Sequence, residues 1–329
     1  MVINFNIWRP LLCLFLLTQV LPCGAQKTNP SDQPEELGLI SWHRSYEDAI
    51  KEAEKLGKPI LLLFQEVPGC ATCRRYGSQV LSDPRLCEIV QNEFIPLVIY
   101  NNKGGDDARI LKQFNEPSWN NPVVRFIDAQ GKDIVSRLSG NYTKKILAHN
   151  IDIVLYLSGD SGEYADIWLS EMLSDDRTTE ERRYAMYCFW SGEAALGQLE
   201  GVVRTEPGFD KNGEVVKVWY NKSELSAKKL DKYADEKGFK HVSNAESFRP
   251  DRDPQYHITK SRYRFIPMTA QQRSRINSAL ADQRDPSFYL SPSQSVYLKD
   301  HVSGNNSGTL PVLYREDFDK AWEIMMDKI

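Results

Sequence analysis

The apolar run Ile60-Leu61-Leu62-Leu63-Phe64, followed after Val67-Pro68-Gly69 by Cys70-Ala71-Thr72-Cys73, constrains this chain more than any other feature. A continuous apolar run of strand length describes a strand buried on both faces, and such a strand needs helices above and below its sheet. The flanking pattern supplies them. Tyr46 to Leu56 places Ala49, Ala53 and Leu56 at helical spacing, and Asp83-Pro84 starts another helix. Phe94 to Tyr100 reads as a second buried strand, Pro122 to Asp128 as a third closed by Ala129-Gln130-Gly131-Lys132, Ile134 to Leu138 as a fourth, and Thr143 to Leu157 as a closing helix. The expected class is α/β.

A Cys-x-x-Cys pair that follows a buried strand and opens a helix is chemically specific. The first thiol gains support from free helix N–H groups, and the second lies close enough to resolve a mixed disulfide. The plainer alternatives are a structural disulfide or half of a zinc site. With no second Cys-x-x-Cys and no histidine cluster, no metal is expected. Cys87, among Leu86, Ile89 and Val90, reads as a buried apolar thiol.

The element order from Ile40 to Leu157 is similar to the thioredoxin fold. The resemblance implies that Cys70 and Cys73 are a redox dithiol and that Pro122, after Asn120-Asn121, is the cis proline facing it. The usual Trp-Cys-Gly-Pro-Cys is replaced here by Val67-Pro68-Gly69-Cys70-Ala71-Thr72-Cys73, which resembles a bacterial group of thioredoxin-like proteins with a Val-Pro-Gly-Cys signature.

Residues 1–25 carry Arg9, a short apolar stretch from Leu11 to Leu17, and Cys23-Gly24-Ala25, the pattern of a secretory signal peptide cleaved after Ala25. Pro22 argues against lipidation at Cys23. The expected location is secreted or periplasmic, with no membrane contact after cleavage, where disulfides persist. Cleavage leaves Cys70, Cys73, Cys87 and Cys188, too sparse for a disulfide scaffold. A net charge of −4, well mixed along the chain, gives no reason to expect nucleic acid. At 329 residues the chain is long enough for two domains with separate cores. The expected division is 26–38 linker, 39–158 first domain, 159–181 linker with a bridging helix, 182–300 second domain, and 301–329 a tail with an amphipathic helix.

The second domain opens around Cys188, with a strand read to Trp190 and Ala194, Leu196 and Leu199 at helical period; beyond it Ser223 to Lys237 reads as a helix capped by Ser223, Tyr263 to Ile266 as a short strand, and Thr269 to Ala281 as a helix capped by Thr269. A thiol at that turn faces free helix N–H groups, which favour the thiolate. The segment from Arg182 to Leu298 resembles peptide methionine sulfoxide reductase A, an α+β enzyme. The resemblance rests on Cys188-Phe189-Trp190-Ser191-Gly192-Glu193, Gly201-Val202-Val203 with Gly208-Phe209, Asn212 to Val218, and Phe265-Ile266-Pro267-Met268-Thr269 with Gln271-Gln272.

The resemblance implies that Cys188 attacks the sulfoxide sulfur and that Phe189 and Trp190 enclose the methyl group. Glu214, buried, would donate the proton, and Tyr263 or Tyr256, with Tyr263 favoured, would bind the sulfoxide oxygen. Glu193 has a supporting role, and its plainer reading is a first-turn acid on its helix. Tyr187 and Ser191 stand where the family has glycines. No bound cofactor is implied. The implied partners are oxidised proteins or small sulfoxides as substrate and an external thiol reductase, with the Cys70/Cys73 dithiol as reductant in cis. The alternatives are an extracytoplasmic thiol–disulfide oxidoreductase whose second domain only recognises substrate, and a nonenzymatic binding protein.

Overall fold

The computed structural model describes residues 27–159, 161–175, 177–211, 213–243, 247–302 and 310–329. The expected signal segment 1–25 lies outside the described residues, as do Asp160 of the expected domain boundary and Asn212.

The first lobe is built on β1 (Ile60–Gln65), every residue of which is buried. It pairs in parallel with β2 (Ile95–Tyr100) and antiparallel with β3 (Val123–Ile127), which carries a short β4 (Leu138–Ser139) at its other edge. The pleat divides β1 between two cores, as its period of two requires. Ile60, Leu62 and Phe64 pack with Ala49 and Ala53 of α1 (Tyr46–Leu56) and with Ile110 and Leu111 of α4 (Asp106–Gln113). Leu61 and Leu63 face the core that contains Tyr76 of α2 (Ala71–Gln79), Leu86 and Ile89 of α3 (Pro84–Glu93), and Leu147 and Ile151 of α5 (Lys144–Ser158). Asp83 caps α3 by accepting the Arg85 and Leu86 amides. The segment Ile134 to Leu138, expected as a strand, is mostly a loop: Ile134 donates its N–H to Phe126 O, and only Leu138 and Ser139 pair regularly with β3.

The second lobe has a five-stranded antiparallel sheet in the order β8-β5-β7-β6-β9. Its strands are β5 (Thr179–Ala185), β6 (Val202–Asp210), β7 (Gly213–Asn221), β8 (Lys240–Val242) and β9 (Arg249–Pro250). Against it pack α7 (Phe189–Gly197) and α8 (Ala227–Glu236), which is capped by Ser226. The expected helix began at Ser223, but Ser223 to Leu225 form the turn that leads into Ser226. The expected strand to Trp190 stops at Ala185, so Phe189 and Trp190 lie on the helix. A short α9 (Tyr256–Thr259) and a 3-10 turn (Arg262–Phe265), expected as a strand, lead into α10 (Ala270–Ala281), whose cap is Thr269.

The lobes do not keep separate cores. The apolar cluster above the α2/α3/α5 face continues into α6 (Glu163–Leu173), α10, α11 (Pro292–His301) and α12 (Phe318–Met326). At its centre Trp168, fully buried, meets Tyr164, Phe318 and Trp322 edge-on with ring centroids 5.3, 5.5 and 5.7 Å away. Two carboxylates join the lobes. Glu88 of α3 accepts the Ser293 amide and hydroxyl at 2.8 and 2.9 Å, and Glu171 of α6 accepts the Ala270 amide at 3.1 Å. The helix in the expected linker and the helix in the expected tail are therefore both core elements.

Candidate functional site

Cys70 is the N-cap of α2, placed there because β1 ends at Gln65 and the Val67-Pro68-Gly69 turn swings the chain back over the sheet edge. The turn is tight. A Cβ on Gly69 would lie 2.4 Å from Glu66 O and 2.6 Å from Cys73 Cβ, so only glycine fits. The Gly69 amide donates to the buried Glu36 carboxylate at 2.7 Å, and Gln65 Nε2 donates to Glu36 O at 2.8 Å. These bonds hold the segment before α1 against the dithiol loop. The Val67–Pro68 and Asn121–Pro122 peptide bonds are both cis.

The two thiols are close and unlike. Cys70 is exposed, Cys73 is fully buried, and their sulfurs are 3.7 Å apart without a bond between them. The Cys73 backbone N–H, aimed at the Cys70 sulfur, holds the Cys70 thiol below its ordinary value, and Thr72 adds to this with its amide and hydroxyl. Burial pushes Cys73 up to about 12. Its S–H donates to Asn121 Oδ1 at 2.8 Å, in the residue before cis Pro122. The exposed thiol therefore ionises first and the buried one holds its proton, the division of labour that thiol–disulfide exchange requires.

Sequence reasoning overlooked two residues here. Asn121 entered only as part of the proline loop, although it is the acceptor of the Cys73 proton donor. Glu66 was passed over entirely. Its carboxylate lies within 4.8 Å of both sulfurs, and among the described residues these three side chains form the group whose ligand atoms could hold a metal ion. Its position directly after the buried strand and before the turn was the available signal.

Residues 41–129 match a family model described as thioredoxin-like. The first lobe is a thioredoxin-like domain. Two solved structures are similar to this chain, each with 19% identity and a TM-score of 0.32. One, the DsbH oxidoreductase, covers 41% of this chain and 94% of its own. The other, a thioredoxin from Thermus thermophilus, covers 36% and 90%. A search of curated proteins found no match. The family match supports oxidoreductase chemistry at the thioredoxin-like domain and does not extend to the lobe that carries Cys188.

Cys188 is the N-cap of α7 and is partly exposed. The Ser191 hydroxyl approaches its sulfur at 3.7 Å, while the first free amide of the helix, Phe189 N–H, donates at 2.8 Å to Glu214 Oε2. Glu214 thus stands beside the Cys188 turn, but at the start of β7 and only partly buried. Glu193 is the more deeply buried of the two glutamates. Burial raises its carboxyl to about 8, against the bonds that favour its charged form from Gln255 N (2.8 Å), Gln255 Nε2 (3.1 Å) and Thr205 Oγ1 (3.3 Å). Glu193 is thus far more than a first-turn acid.

The aromatic pair divides. Phe189 is buried against Phe209, with ring centroids 5.1 Å apart, whereas Trp190 lies on the surface, stacked on Tyr256 at 4.2 Å and donating to Asp251 at 3.3 Å. Of the two candidate tyrosines, Tyr256 is the one beside Trp190. Tyr263 is buried in the core that the lobes share, apart from the cluster that holds Phe189. Gly192 is pressed onto Met186, where a Cβ would meet the sulfur at 1.8 Å, so a larger residue one position beyond Ser191 would require the Met186 side chain to shift.

Proposed function

We propose that the protein is an extracytoplasmic thiol–disulfide oxidoreductase acting through Cys70 and Cys73. The reading is carried by the asymmetry of the two thiols, an exposed one with a lowered pKa beside a buried one with a raised pKa. The Cys70 thiolate attacks a substrate disulfide, forming a mixed disulfide and releasing one substrate thiolate. Cys73 then attacks the Cys70 sulfur, its proton passing to the released thiolate, and the second substrate thiol leaves. The substrate gains the two electrons that the dithiol loses, and an external thiol reductase restores the dithiol. Insulin reduction driven by limiting dithiothreitol tests this in the full chain. Cys70→Ser should abolish catalysis, and Cys73→Ser should accumulate a mixed disulfide at Cys70. Undiminished turnover by Cys70→Ser would remove the proposal.

A second reading gives Cys188 methionine sulfoxide reduction, favoured by the Trp190–Tyr256 stack and the Glu214 carboxylate around its turn. The Cys188 thiolate would attack the sulfoxide sulfur, and the S–O bond would break with uptake of a proton. The products are a thioether and a sulfenic acid on Cys188. A thiol then condenses with the sulfenic acid, releasing water, and a second thiol reduces the resulting disulfide. Cys188→Ser should abolish sulfoxide turnover with dithiothreitol while leaving insulin reduction intact. Survival of sulfoxide turnover would sink this second reading and leave the first untouched.

A further inference from the structure

On the side of α7 away from its cap, a cavity of about 290 Å³ opens between β6, the loop before α9 and the first turn of α10. Its wall carries three guanidinium groups, Arg204, Arg273 and Arg315, and one carboxylate, Glu206. Like charges are seldom gathered without a counter-charge, because each raises the cost of ionising the next. Glu206 does not serve them, since it pairs with Lys217 at 3.9 Å.

The three arginines are held differently. Arg315 is a fixed strut, with its nitrogens donating to Pro254 O, Arg252 O and Thr259 Oγ1, each at 3.3 Å, and Asp253 3.6 Å away. Arg273 donates through Nη1 to Tyr314 O at 2.8 Å. Arg204, exposed, lays its guanidinium over the Trp219 ring at 3.6 Å. Among the described residues, neither Arg204 nor Arg273 has a carboxylate within ion-pair distance. Of the acids that act on Arg273, Glu171 already accepts the Ala270 and Gln271 amides at 3.1 and 3.4 Å, and Glu193 accepts from Gln255 and Thr205. The cavity also meets the opening turn of α10 at Ala270 and Arg273.

We propose that this cavity binds the oxyanion group of a small ligand, a phosphate or a polycarboxylate, through Arg204 and Arg273 with Arg315 fixing the rim. Planar guanidiniums with free donors suit such groups, and their forked geometry can take an anion through paired bonds. Thr205 and Gln255, which line the cavity, also hold Glu193 on the Cys188 helix, so an occupant would sit against residues that position α7.

Isothermal titration of the full chain with inorganic phosphate and, separately, with citrate tests this in chloride buffer at fixed ionic strength. Saturable one-to-one binding is expected for at least one of them, with Kd of about 1 mM or below. Arg204→Gln and Arg273→Gln should each weaken it by about tenfold or more, and Arg284→Gln, outside the cavity, should not. Binding of phosphate alone assigns a phosphate ligand, binding of citrate alone a carboxylate, and binding of both the shared chemistry. No saturation by either anion to about 10 mM, far weaker than a purpose-built site, would overturn the proposal. So would binding that both variants leave unchanged. Arg204 is exposed on β6, so Arg204→Gln decides the matter even if Arg273→Gln fails to fold.

Discussion

Selective alkylation of the reduced protein separates the two thiols of the thioredoxin-like domain. A thiol alkylates through its thiolate, so the rate at fixed pH scales with the ionised fraction and with access. For Cys73, raised to about 12, the thiolate fraction at pH 8 is about one part in ten thousand. An ordinary thiol of pKa near 8.5 is about one-quarter ionised at that pH, so ionisation alone slows Cys73 by about three orders of magnitude. Cys70, held below the ordinary value and exposed, should react faster than such a thiol. The expected Cys70-to-Cys73 ratio under limiting iodoacetamide is therefore at least about a thousandfold, before any steric protection is counted. Cys87 is an internal control, because it is buried, its thiol is also pushed up, and it donates to Leu81 O at 3.1 Å. The assay is peptide mapping by mass spectrometry after timed alkylation from pH 6 to 9, with urea-unfolded protein as the reference in which all thiols react alike. Alkylation of Cys73 within tenfold of Cys70 in the folded protein would refute the argument from burial and hydrogen bonding.

Two further predictions concern stability. Glu193 binds its proton more tightly folded, at about 8, than in the unfolded chain, where a glutamate titrates at 4.5, so between these pH values the folded state holds a proton that the unfolded state has lost. Stability should therefore fall as pH rises across that window, by up to about 1.4 kcal/mol per unit, and then level off. Glu193→Gln should flatten this slope in chemical unfolding measured from pH 4.5 to 8.5, and an unchanged slope would place the pH dependence elsewhere. Trp168→Ala should cost about 3–5 kcal/mol, because the residue is fully buried among Tyr164, Phe318 and Trp322. A loss under about 1 kcal/mol in the same assay would mean that the shared core is not what joins the lobes.

How much of this was legible in the sequence follows from which signals are local. The strand Ile60–Gln65, the helix start at Asp83-Pro84 and the cap Thr269 were readable, because a continuous apolar run and an N-terminal polar cap act over a few residues. Helices α4 and α11 were missed: α4 is short, with its apolar period confined to a few residues around Ile110 and Leu111, and α11 carries little periodic signal, its burial coming from partners distant in sequence. The segment Tyr263 to Ile266 looked like a strand for its apolar content, yet it forms a 3-10 turn that buries Tyr263 and Phe265 in the shared core. The division of labour between Glu193 and Glu214 was illegible for a related reason. It is set by Gln255, a residue with φ of 50° in a loop of no regular pattern, which brings its amide to Glu193 from 62 residues away. Tyr256 follows that residue directly, which is why the stack on Trp190 was equally hidden.

Reduction of Cys188 by the dithiol in cis, attractive from the sequence, acquires a stricter condition from the fold. A flexible linker would raise the effective concentration of one thiol near the other. Here the lobes share an apolar core through α6, α10, α11 and α12 and are clamped by Glu88 on Ser293. The hydrogen bonds around Cys70 and Cys73 run to Glu36, Gln65, Asn102 and Asn121, all within the first lobe. With the lobes packed this way, electrons reach Cys188 either within one molecule in that arrangement or between two molecules. Mixing decides between the cases. If Cys188→Ser and Cys70→Ser variants, each inactive alone with a thioredoxin-reductase-type electron source, regain sulfoxide turnover when combined, electrons pass between molecules, and the rate per molecule should rise in proportion to protein concentration. If the mixture stays inactive while the unsubstituted chain turns over at a rate per molecule independent of concentration, transfer is internal. Turnover by Cys70→Ser alone at the unsubstituted rate would exclude the dithiol as reductant by either route.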